Sequence, residues 1–196
     1  MSDIRICFFG DSFVNGTGDP AYLGWSGRAC QAVDHPNLTH YNLGIRGNTS
    51  EQIEARWQAE AALRLLSPAA ARLVFSFGVN DNCLEDGQLR VSAKGSIDCA
   101  RRILTQAKAQ FPTLMVGPPP VEDETINDRT VVTSMAYAAL CETLEIPYLE
   151  TYAPLRQNQI WMQEVAQTDG AHPAAAGYEA LAQLVSTWSD WQAWFV

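Results

Sequence analysis

The chain has 196 residues, 47% hydrophobic and 18% charged, with a formal net charge of −9. That is the composition of an ordinary globular protein, long enough to bury a sizeable core without disulfide or metal staples. The acidic balance, with no basic stripe, speaks against a nucleic-acid partner. No run approaches ~18 uninterrupted apolar residues, so no membrane span is predicted.

In chain order, Ile4 to Phe9 reads as a buried strand that stops at Gly10. The apolar start, without a long h-region or small-residue cleavage site, predicts no leader. An amphipathic stretch follows near residues 24–33, then a second strand at 38–43. Thr49 and Gln52 form a capping-box pair ahead of Ile53, Trp57 and Ala61 at helical spacing. Residues 72–77 read as a third strand, and Ile97, Ala100, Ile103, Leu104 and Ala107 mark a helix face. A fourth strand is predicted at 113–117, a helix near 128–145, a short fifth strand at 147–150, an irregular stretch, and a last helix over 173–188.

Apolar strands alternating with helices predict one α/β domain over residues 1–196: a flavodoxin-like three-layer αβα sandwich on a five-stranded parallel sheet. In such sheets ligands sit outside the C-terminal ends of the strands. The loops after the first three strands therefore carry the functional prediction.

The first reads GDSFVNG, with Ser12 just beyond the strand. A serine hydroxyl needs a base to become nucleophilic. His35 and His40 flank the entry of the second strand, at the wrong end of the sheet. His172, in TDGAHP, has Asp169 three residues earlier, close enough for one turn to set a carboxylate against the imidazole. Taken alone, D-x-x-H fits a plain turn equally well. Acyl transfer also needs donors for an oxyanion. The Ser12 backbone, Gly44 after the second strand and the Asn80 amide in GVND could supply them, though Gly44 and Asn80 are also ordinary turn residues.

Four blocks in this order, Ser12 in GDS, Gly44 in NLGIRGNTS, Asn80 in GVND and His172 in DGAHP, resemble the SGNH hydrolases, also called the GDSL esterase and lipase family. The resemblance implies a Ser12–His172–Asp169 triad and an oxyanion hole of Ser12, Gly44 and Asn80. It also implies no metal or organic cofactor and an ester, thioester or O-acetyl substrate. Short-chain acyl or acetyl esters are the expectation, with thioesterase or lysophospholipase activity as the alternative. Phe13 stands where the family name has leucine, and Arg46 fits either a solvated charge or a group facing an acidic substrate.

The proline-rich loop at 117–128 is expected to border the site through Pro120. Trp161 is placed either at the substrate pocket or beneath that loop. Five cysteines without a C-x-x-C pair predict reduced thiols and a cytoplasmic location. The aromatics Trp188, Trp191, Trp194 and Phe195 fit core packing and a homo-oligomer interface equally. A non-catalytic small-ligand module and a phosphate binder are the rival classes; the first loop matches neither glycine-rich phosphate motif.

Overall fold

A computed structural model describes residues 3–66 and 69–196. Met1 and Ser2, where the reading of the amino terminus begins, lie outside them. The central strands are β1 (Ile4–Gly10), β2 (Leu38–Gly44) and β3 (Ala70–Ser76). A small hairpin of β4 (Leu84–Glu85) and β5 (Gln88–Leu89) follows, then β6 (Thr113–Val116) and β7 (Tyr148–Leu149). The main sheet has the order β2-β1-β3-β6-β7, and every neighbouring pair is parallel. This is the predicted five-stranded parallel sheet.

Helices cover both faces: α1 (Ser12–Asn15), α2 (Gly24–Val33), α3 (Ser50–Ala62), α4 (Ala93–Lys108) and α5 (Glu124–Leu144) come first. After β7 come α6 (Tyr152–Gln157), α7 (Gln159–Gln167), α8 (Ala175–Ser186) and α9 (Ser189–Gln192). Because side chains alternate along a strand, β1 feeds two cores at once. Ile6 and Phe8 pack with Trp25, Trp161, Leu181 and Trp191 on one face. Cys7 and Phe9 pack with Ile53, Trp57, Ile103 and Tyr137 on the other. Trp191 thus belongs to the core, while Trp188, Trp194 and Phe195 are partly buried against it.

Three features depart from the sequence reading. The stretch read as irregular holds α6 and α7, and the Asn158 side chain caps α7 by accepting from the Trp161 N–H at 3.0 Å. Helix α5 starts earlier than predicted because Asp123 caps it, accepting from the Thr125 and Ile126 N–H groups. The β4–β5 hairpin turns on Asp86 and Gly87, both at positive φ (51° and 77°), the left-handed pair that a tight hairpin requires.

Candidate active site

Register places the site. Gly10 pairs with Gly44 on one side and Ser76 on the other, so β1, β2 and β3 release their loops side by side. The chain turns at Gly10, where an added Cβ would fall 2.1 Å from the Ser76 carbonyl oxygen and 2.4 Å from a Val14 methyl. Since the nearest obstacle is backbone, Gly10→Ala should destabilise the fold by roughly 2–3 kcal/mol. Urea unfolding checks this, and a loss under ~0.5 kcal/mol, the range of harmless surface changes, would contradict it.

Asp11 then caps α1, accepting from the Phe13 N–H at 2.9 Å, which sets Ser12 as the first residue of a helical turn. Gly16, at a φ of 81°, ends that turn, and the Gly16 and Thr17 N–H groups both return to the Ser12 carbonyl. Asp11 is itself buried. Burial pushes its carboxyl up to about 7, with the Phe13 N–H and the Asn80 amide holding it back and Asp81 adding to the rise.

The opposite wall comes from the loop between α7 and α8. Gly170, at a φ of 79°, lets this loop fold so that Asp169 Oδ1 accepts the Ala171 N–H at 3.1 Å and the His172 N–H at 2.9 Å. The other oxygen, Oδ2, lies 2.8 Å from His172 Nδ1. Burial alone would raise the Asp169 carboxyl, but the His172 N–H, the imidazole and the Ala171 N–H together hold it down at about 2. His172 is buried, and its Nε2 has no hydrogen-bond partner among the described residues. Phe13 packs on the imidazole with ring centroids 5.0 Å apart, and stacks on Trp161 at 6.3 Å. The residue in the leucine position of the family name is therefore the wall that seats the histidine.

Ser12, Asn80, Asp169 and His172 line one cavity of about 490 Å³, with Phe13, Val121 and Ile126 supplying apolar surface. The Asn80 side chain donates to Asp11 Oδ2 at 3.2 Å and to the Asn48 carbonyl at 3.1 Å. Gly44 is placed differently from the expectation. Its N–H donates to Asn42 Oδ1 at 3.1 Å, and its Cα packs against Asn15 and the Asp11 carbonyl, where an added Cβ would come within 2.2 Å and 2.6 Å. The glycine brought beside Asn80 is Gly47, in the same loop at a φ of 75°, the residue before the Asn48 carbonyl that Asn80 binds. Its positive φ is the physical mark that separates it from Gly44.

Pro120 and Trp161 bind each other rather than the cavity. The Trp161 indole N–H donates to the Pro120 carbonyl at 3.0 Å, and the ring is fully buried in the core. Among the described residues that carbonyl is the indole's partner, which seats Trp161 beneath the loop that carries Pro120. The loop meets the site just beyond, where Val121 lines the cavity and the Glu122 N–H donates to the Gly170 carbonyl at 2.8 Å. Arg46 is exposed and lines a separate surface cleft with Tyr22. Among the described residues no group of three or more His, Cys, Asp or Glu side chains is arranged to hold a metal ion.

A parallel αβα sheet with a serine at the end of β1, facing one cavity with an Asp–His pair from the α7–α8 loop, is the arrangement of serine esterases and related hydrolases. Residues 8–180 match the sequence profile of the GDSL-like lipase/acylhydrolase family, and the chain belongs to that family. Solved structures agree on the fold. A lipase/acylhydrolase from Enterococcus faecalis superposes with a TM-score of 0.74 at 20% identity, covering 93% of each chain. An acetylxylan esterase from Geobacillus stearothermophilus gives 0.73 at 17%, covering 92% of this chain and 91% of that one. An alpha/beta hydrolase from the metagenome of Lake Arreo, Spain, gives 0.72 at 17%, covering 92% of both. No curated protein matches the sequence.

Proposed function

We propose that the protein hydrolyses short-chain acyl or acetyl esters through an acyl-enzyme on Ser12. The observation that carries this reading is the Asp169–His172 pair, with a buried Nε2 that has no partner among the described residues, in the cavity that Ser12 also lines. With Nδ1–H donated to Asp169, Nε2 carries a lone pair and takes the Ser12 proton as the hydroxyl attacks the ester carbonyl. The imidazolium then protonates the leaving alcohol. Water deprotonated by the same nitrogen releases the acid.

The developing oxyanion is received by the Ser12 N–H and the Asn80 amide, the latter turning from one of its two present acceptors. From the β2 loop, Gly47 is the better candidate for the third donor than Gly44, whose N–H is bound to Asn42. A cavity of about 490 Å³ lies toward the lower end of the usual range for small-molecule sites, which supports a short acyl group. The acetylxylan esterase neighbour supports an acetyl group. Thioester and lysophospholipid carbonyls would meet the same machinery, and acyl length is what separates these readings.

No helix of the described residues is long and apolar enough to cross a membrane. The five cysteines are all free, which supports a reducing, cytoplasmic setting and a substrate that reaches the site from solution. The test is a fluorophosphonate probe followed by peptide mass analysis, together with p-nitrophenyl esters from acetate to palmitate. One adduct per chain on Ser12, with turnover confined to the shortest esters, is expected. An unlabelled Ser12 in folded protein would overturn the nucleophile assignment.

A further inference from the structure

The β4–β5 hairpin was not foreseen in the sequence, and the first residue after its strand is Arg90. The Arg90 N–H donates to the Cys83 carbonyl at 3.0 Å, closing the hairpin and aiming the side chain back toward the sheet. Its guanidinium is half-buried. Nη2 donates to the Gly47 carbonyl at 2.8 Å, Nη1 lies 3.5 Å from Asn80 Oδ1, and Nε lies 3.9 Å from the exposed Glu85 carboxylate. The contact at 2.8 Å is a full charge-assisted hydrogen bond; that at 3.5 Å is a charge–dipole contact.

We infer that Arg90 is a positioning residue for the oxyanion donors, holding Asn80 and Gly47 in the orientation that ester hydrolysis needs. This rests on the proposed role of Asn80 above. An asparagine side chain has an acceptor end and a donor end, and its neighbours decide which faces where. Arginine can only donate. It therefore fixes Oδ1 on its own side and keeps the donor end, Nδ2, toward Asp11 Oδ2 and the Asn48 carbonyl, from one of which an N–H passes to the oxyanion. Rotated by half a turn, Asn80 would press its NH₂ against the guanidinium and present an oxygen to a forming oxyanion.

The positive charge at Oδ1 also polarises the amide, so Nδ2–H becomes a stronger donor as negative charge grows. On the other loop, the bond to the Gly47 carbonyl fixes the peptide plane between Gly47 and Asn48, which adjoins the plane that carries the Gly47 N–H. One planar fork thus spans the loop after β2 and the turn after β3, the two segments that carry these donors. Lysine would bring a charge but could not match both carbonyl oxygens in one plane.

The effect should fall on the transition state rather than on substrate binding, because the oxyanion exists only there. With the p-nitrophenyl ester turned over fastest, Arg90→Gln should lower kcat by about 10- to 30-fold with KM unchanged within about twofold. That is less than the ~10²–10³-fold cost of losing an oxyanion donor outright. Arg90→Lys should recover part of kcat, and Glu85→Gln should leave it unchanged.

Thermal unfolding of each variant supplies the structural readout. If Arg90→Gln folds poorly, Arg90→Lys carries the test, with kcat reduced and KM and thermal stability kept. Wild-type kcat in either Arg90 variant would overturn the inference, as would losses in which KM rises and stability falls together. Ser12→Ala is run beside them. Full turnover in that variant would instead sink the esterase mechanism on which the inference rests.

Discussion

Asp169→Asn should lower kcat by roughly 10³-fold while leaving the fold and KM almost unchanged. The argument follows from how the carboxylate is shared. Oδ1 accepts two backbone N–H groups, from Ala171 and His172, whereas Oδ2 meets the imidazole Nδ1. An asparagine must keep its oxygen on the two N–H donors, so its NH₂ falls where Oδ2 was and points at Nδ1. That nitrogen then has to accept, the ring proton moves to Nε2, and Nε2 can no longer take the Ser12 proton. A wrong tautomer of this kind costs about 10⁴-fold when the aspartate is buried. The Asp169 side chain is 51% exposed, so water screens its charge and the electrostatic share of the loss is smaller here. The tautomer share is unaffected by screening. Stopped assays on the purified variant decide it, and a loss under tenfold would mean that Asp169 shapes the loop without orienting the histidine.

That Ser12, Asp169 and His172 meet in one cavity could be anticipated in the sequence, and the reason is range. Each depends on chemistry within a few residues: a glycine turn after an apolar strand, and a carboxylate one turn before a histidine. The parallel sheet was legible for a similar reason, since runs such as residues 72–77 are apolar throughout. What was not legible depends on partners far away in the chain. Gly44 and Gly47 look alike until Asn80, 32 residues beyond Asn48, reaches the carbonyl next to Gly47. Trp161 and Pro120 are separated by 41 residues, and only their shared hydrogen bond shows that the indole is satisfied beneath the loop. The hairpin could have been read from Asp86-Gly87, but each of its strands is only two residues long, too short to show alternation. Its consequence, Arg90 beside Asn80, had no local signal at all.

The second large effect is on stability, and Asp11 causes it. The side chain is 1% exposed and held by two donors, the Phe13 N–H and the Asn80 amide. Burial lifts its carboxyl to about 7, against ~3.9 in an unfolded chain. Between those values the folded protein keeps a proton that the unfolded chain has lost. The contribution of this group is therefore fully present below pH ~4 and fades as pH rises through about 7. Three units correspond to about 4 kcal/mol, an upper figure for one site. Asp19 and Asp169 act in the opposite sense. Burial works against both, but Asp19 is held down at about 2 by Arg28 and backbone N–H groups, and Asp169 at about 2 by His172 and Ala171. Their support is present above pH ~4 and is lost as pH falls through 2. The Asp11 share of stability should consequently decline from pH 4–5 toward pH 8, with partly buried His40, whose imidazole burial holds below its ordinary value, working in the opposite sense. Urea unfolding at pH 4.5, 6 and 8 measures the decline. In Asp11→Asn the side-chain oxygen can still cap Phe13, while its NH₂ meets the Asn80 amide at a cost that does not vary with pH. That variant should be less stable than wild type at pH 4.5 and lose the Asp11 part of the slope, and an unchanged slope would assign the decline to other groups.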